Sequence, residues 1–167
     1  VSSPSAVRPS RAVAVPRYWK PSRWCSSVLE GKDTLALMPT GGGKSITYQV
    51  PALVLEGICL VVTPLIALMK DQVEELQKRG IVAEAIYTGM GKEQIESTLN
   101  KAIAGKIKFL YVSPERLASE QFRARLKQMH LSMLAVDEAH CISQWGYDFR
   151  PSYLRIAEIR ENFRQIP

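Results

Sequence analysis

Three consecutive glycines followed by a lysine and a hydroxyl, Gly41-Gly42-Gly43-Lys44-Ser45, restrict the fold of this chain more than any other feature. A short apolar run, 34–38, leads through Pro39 and Thr40 into the glycines, and a helical pattern starts at Lys44. The order is therefore strand, glycine-rich turn, helix. Backbone N–H groups can converge where no side chains obstruct them, and a helix N-terminus adds its partial positive charge, so this arrangement predicts a phosphate cradle. In such a P-loop Lys44 reaches the β/γ-phosphates and Ser45, in the first helical turn, offers its hydroxyl to Mg²⁺. Met38 stands where the pattern has its first glycine, but Thr40, Gly41, Gly42, Gly43, Lys44 and Ser45 keep its core.

A cradle of this kind needs a sheet to hold it. From Val28 onward short apolar runs alternate with longer amphipathic stretches, the pattern of a parallel sheet covered by helices. The spacing predicts strands at 34–38, 58–63, 83–87, 108–112 and 132–136, and helices at 44–55, 64–79, 92–104, 119–128 and 153–163. Pro64 suits a first helical turn, while Pro51 should bend the helix after the glycines or end it early. Before Val28 the texture differs, with Pro4, Pro9, Pro16 and Pro21 interrupting any regular element. Residues 1–27 thus read as an irregular lead-in and 28–167 as one α/β domain, a size that buries a core without staples.

Charge alone does not identify a partner. The net charge is +6, yet Arg8, Arg11, Arg17, Lys20 and Arg23 against Glu30 place +4 of it in the first thirty residues. The body is nearly neutral, so an argument for nucleic acid must come from motifs. Cys25, Cys59 and Cys141 are too scattered for a disulfide framework or a zinc knuckle, which points to a reducing compartment. The longest apolar run, 57–69, is broken by Thr63 and Pro64 and falls short of a membrane span.

The second half of a phosphate site should be an acid at the end of another strand. The run 132–136 is followed by Asp137, Glu138, Ala139 and His140. Asp137 can bind Mg²⁺ there and Glu138 can orient or deprotonate a water. Two acids also commonly open a helix near its positive end. Paired with the glycine-rich turn, the nucleotide-hydrolase reading is the stronger one.

Four runs together, GKDTLALMPTGGGKS at 31–45, VTPLIALMKDQ at 62–72, YVSPERL at 111–117 and DEAHCISQWGYDFRP at 137–151, resemble the first motor domain of the RecQ DNA helicases. The segment after DEAH discriminates most. The resemblance implies a three-layer RecA-like P-loop domain with a mostly parallel sheet. It also implies ATP and Mg²⁺ as cofactors, and 3′-to-5′ movement on single-stranded and duplex DNA in recombination and repair. It places the protein in a bacterial cytoplasm, at the nucleoid, or in a eukaryotic nucleus. Lys44, Asp137 and Glu138 would be catalytic, with Ser45 and Asp137 on the metal. Thr63, Pro64 and Ser113 would lie near the DNA strand, although Ser113 suits a helix cap equally well. His140, Gln144, Trp145, Phe149 and Arg150 would form an aromatic-rich loop linking single-stranded DNA to hydrolysis, Tyr147 offering another stacking face. The competing reading makes these aromatics core residues.

The family pattern is broken in two places. Its adenine-reading stretch carries a glutamine before the P-loop, whereas this chain has none before Gln49. Tyr18-Trp19 resembles the start of that stretch, 20–27 does not continue it, and a shifted reading frame would explain the break. The sequence stops at Pro167, ahead of the family's third motif and second motor domain. Weak binding and poor turnover are therefore expected of the isolated chain. Two alternatives remain: a non-catalytic nucleotide- or DNA-binding fragment, and another P-loop ATPase or RNA-directed helicase, which the loop after DEAH disfavours.

Overall fold

Apolar runs with no polar alternation must be covered on both faces, and the two central strands, 58–62 and 109–112, are buried throughout, with the outer two partly so. The computed structural model describes residues 23–38, 43–143 and 149–167. Strands β1 (Ile58–Val62), β2 (Ala83–Ile86), β3 (Phe109–Val112) and β4 (Leu131–Val136) form one sheet in the order β2-β3-β1-β4, every pairing parallel. Ile58, Leu60 and Val62 of β1 face one core with Leu110, Val112 and Ile86, while Cys59 and Val61 face a second core with Phe109 and Tyr111.

Each core is closed by its own helices. Helices α1 (Arg23–Leu29), α2 (Lys44–Val54) and α3 (Ile66–Lys78) contribute Val28, Tyr48, Ala52, Met69 and Leu76 to the second core. Helices α4 (Lys92–Ile103), α5 (Glu120–Leu126) and α6 (Arg155–Asn162) supply Leu99, Phe122, Leu126, Ile156 and Ile159 to the first. The result is the expected α/β three-layer arrangement with a parallel central sheet.

Four sequence expectations are corrected. Residues 34–38 do not join the sheet: they run beside β4 without a ladder, leaving Leu35 75% and Leu37 86% exposed. The Leu134 amide, which a neighbouring strand would use, donates instead to the Pro167 carbonyl at 3.0 Å. Pro51 does not end α2 early: the helix continues to Val54 with Pro51 buried inside it and its carbonyl accepting from Leu55 N at 3.1 Å. Pro64 lies ahead of α3, whose cap is Leu65, rather than in its first turn. Part of the stretch read as irregular, from Arg23, is helical and buries Cys25 and Val28 against α2.

The end of α2 is anchored to the sheet by Lys108. Its ammonium donates to the carbonyls of Leu55 and Gly57, the latter at 2.8 Å. Burial pulls the Lys108 pKa down, and burial pushes the neighbouring Cys59 thiol up to about 12. Gly57 itself packs against the start of β4: at φ 106° a Cβ there would sit 2.7 Å from the His130 carbonyl. Among the described residues no helix is long and apolar enough to cross a membrane.

Candidate active site

Parallel strands carry their loops in one direction, so the carboxyl ends of β1 and β4 open beside the N-terminus of α2. A cleft of about 850 Å³ lies there, walled by residues 32–38 on one side and the end of β4 on the other, and reaching Lys44, Tyr48, Asp137, Glu138 and His140. Gly43 enters α2 with φ 73°, a left-handed conformation that admits glycine most readily. Pro39, Thr40, Gly41 and Gly42 lie outside the described residues, so the cradle is seen from Gly43 onward: Lys44 and Ser45 occupy the first turn of α2, as the motif requires.

Residues 94 apart in the chain meet in this cleft: Lys44 Nζ lies 3.2 Å from Glu138 Oε1, in a half-buried ion pair. His140 Nδ1 lies 3.3 Å from the other oxygen, Glu138 Oε2. Glu138 holds this place through an unusual backbone, φ 49° and ψ 46°, the one left-handed residue other than glycine among the described residues. Such a conformation costs on the order of 1–3 kcal/mol and persists where the surroundings impose it. Here Cys141 N donates to the Glu138 carbonyl at 2.9 Å, closing a one-turn 3₁₀ helix, Ala139–Ile142.

Asp137 is fixed on every side. Its amide donates to the Val62 carbonyl at 2.9 Å, its Oδ1 accepts from Glu138 N at 3.0 Å, and its Oδ2 accepts from Thr63 Oγ1 at 3.3 Å. Its carbonyl accepts from the Tyr153 hydroxyl at 2.9 Å. Burial raises the Asp137 pKa above the ordinary carboxylate value, with the amide of Glu138, the hydroxyl of Thr63 and the charge of Lys44 opposing it. The oxygens of Asp137 and Ser45 are the hard donors that Mg²⁺ prefers, and a sparse protein set suits an ion that completes its shell with phosphate and water. These residues fit magnesium.

Behind the P-loop helix lies a polar network in the second core. The Tyr48 hydroxyl donates to Gln72 Oε1 of α3 at 2.5 Å, and Gln49 Nε2 donates to the Tyr111 hydroxyl at 3.4 Å. Burial drives the Tyr48 and Tyr111 pKa values up, so both remain neutral hydroxyls.

The remaining sequence candidates divide. Thr63 is fully buried and Ser113 is 1% exposed, so both hydroxyls lie beneath the surface at the ends of their strands. Thr63 turns to Asp137, and Ser113 begins the 3₁₀ helix Pro114–Ala118 without capping it, its Oγ lacking a partner. Pro64 is partly exposed, as are Phe149 and Arg150, and Arg150 N donates to the Cys141 carbonyl at 3.0 Å. Gln144, Trp145 and Tyr147 lie outside the described residues. Sequence reasoning missed Tyr153, although a tyrosine two positions beyond Pro151 in an otherwise apolar pattern needs a partner when buried.

The parallel sheet, the helix N-terminus with Lys44 and Ser45, and the acids at the end of β4 define an α/β domain of the P-loop type. The family model for DEAD/DEAH box helicases matches residues 22–166, and the chain belongs to that family. It is 45% identical over 142 residues to the ATP-dependent DNA helicase RecQ of Haemophilus influenzae, covering 85% of this chain and 23% of that protein. It is 50% identical over 125 residues to RecQ of Bacillus subtilis, covering 75% of this chain and 21% of the relative. The chain therefore spans less than a quarter of the length of these curated relatives. The fold is also that of a hypothetical ATP-dependent RNA helicase from Sulfolobus tokodaii, with a TM-score of 0.59 at 21% identity over 89% of this chain and 44% of that one.

Proposed function

We propose that this chain is the ATP-hydrolysing portion of a RecQ-type 3′-to-5′ DNA helicase, driving movement along single-stranded DNA and opening of duplex in recombination and repair. We place its work in the compartment that holds the DNA. The observation that carries the reading is the meeting of Lys44 and Glu138 beside Asp137 at the mouth of α2. The α2 N-terminus and Lys44 bind phosphate charge, Lys44 exchanging Glu138 for the nucleotide. Glu138, released from that pair, accepts a proton from the attacking water. Ser45 and Asp137 would hold Mg²⁺, which when bound neutralises phosphate charge. RecQ likeness over most of the chain supports DNA rather than RNA as the nucleic acid.

The test is a titration of Mg·ATP into the chain and into Lys44→Ala, followed by tryptophan fluorescence. Saturable binding by the chain that falls at least about tenfold in the variant supports the reading. Equal binding by both proteins, or none by either, overturns it.

A further inference from the structure

We propose that Thr63 and Tyr153 are positioning residues that set Asp137 as a divalent-cation ligand, one acting on its carboxylate and the other on its backbone. The inference rests on the Mg·ATP reading above and adds two residues to it.

Thr63 follows the apolar strand Ile58–Val62 and is fully buried, a place that valine would fill at nearly the same volume. A buried hydroxyl without a partner is costly, so its presence needs a reason. The described hydrogen bond of its Oγ1 goes to Asp137 Oδ2. Glu138 N holds the opposite oxygen, Oδ1. Two donors on the two oxygens fix the rotation of the carboxylate about its own axis, and an ionised carboxylate has lone pairs left for a cation. Tyr153 is 1% exposed at the end of the 3₁₀ helix Pro151–Leu154, and phenylalanine would pack there equally well. Its hydroxyl donates to the Asp137 carbonyl, opposite the bond from Asp137 N to Val62 O. The acid is thereby held from two segments that are distant in sequence, the end of β1 and the stretch before α6.

Partners that orient a metal ligand change metal affinity by about 10- to 100-fold when removed. The quantity to measure is the gain in ADP affinity on adding Mn²⁺, compared with ADP in EDTA, for the chain, Thr63→Val, Thr63→Ser and Tyr153→Phe. The expected result is a gain reduced about tenfold in Thr63→Val, restored in Thr63→Ser, and reduced by a smaller factor in Tyr153→Phe. A general loss of packing would lower ADP affinity in EDTA as well, and a thermal melt of each variant reports it. If Thr63→Val does not fold, Tyr153→Phe carries the test, since it removes one oxygen and no volume. An unchanged gain in the folded variants overturns this inference and leaves the nucleotide reading standing. A wild-type chain whose ADP affinity Mn²⁺ does not raise overturns both.

Discussion

The two walls of the cleft are built differently. In the wall of β1 and β4 the first strand is buried throughout and the second mostly so, and the last residues, Val62, Thr63, Asp137 and Glu138, are tied to one another by hydrogen bonds. The facing wall, residues 32–38, forms no ladder and leaves two leucines in solvent. Its anchor is Asp33, gripped by Arg160 at 2.8 and 3.0 Å, while the same guanidinium donates to the Phe163 and Ile166 carbonyls. The difference teaches that Asp137 and Glu138 are positioned by the sheet itself, whereas residues 32–38 are tied to the body through the exposed Asp33–Arg160 pair.

Mutation can break that comparison from the rigid side first. Leu60→Ala, in the middle of β1 with both faces covered, should cost about 3 kcal/mol in urea unfolding. Lys108→Met keeps the aliphatic stem but strips two carbonyls at the end of α2 of their donor, and a loss of about 2 kcal/mol is expected in the same assay. Asp137→Asn should move the other way. Burial raises the folded-state pKa of Asp137, so its contribution is most favourable when protonated and is lost as pH rises through that value. Removing the charge at neutral pH should relieve that burial cost, read as a melting temperature that does not fall, while abolishing metal-dependent nucleotide affinity. On the loose side Asp33→Asn should cost less than about 1 kcal/mol, and Leu37→Ser less than about 0.5 kcal/mol. Hydrogen exchange sharpens the contrast: amides of β1 should be protected to near the global unfolding limit and those of 32–38 should exchange early. Equal protection of the two walls would show that the contrast is wrong.

Much of this arrangement was legible in the residues. Short, mostly apolar runs located β1 to β4, and the lysine-serine and aspartate-glutamate pairs located the two sides of the cleft, because those features are local. The strand expected at 34–38 was not, since an apolar run signals burial without naming its pairing partner, and the Leu134 donor at β4 was taken by Pro167. Pro51 does not stop α2 because its missing N–H is tolerated where the ring is buried and the helix is clamped at its far end by Lys108. The bond from Thr63 to Asp137 was not legible, because sequence shows a hydroxyl at a strand end but not the direction it faces. Tyr153 was overlooked because its partner is a backbone carbonyl 16 residues away, and carbonyls leave no trace in composition.

The left-handed backbone at Glu138 limits which amino acids that position can accept, independently of catalysis. Valine, isoleucine and threonine would meet their own branched carbons at φ 49°, so they are opposed by sterics before chemistry is considered. Glycine would relax the turn but surrender the carboxylate, and asparagine tolerates the turn but carries no charge. Aspartate satisfies both conditions but is one methylene shorter, too short to span to Lys44 unless the chain moves. Two unrelated filters, one steric and one chemical, thus converge on a single side chain, and a library of all substitutions at 138 should sort along two separate axes, folding and turnover.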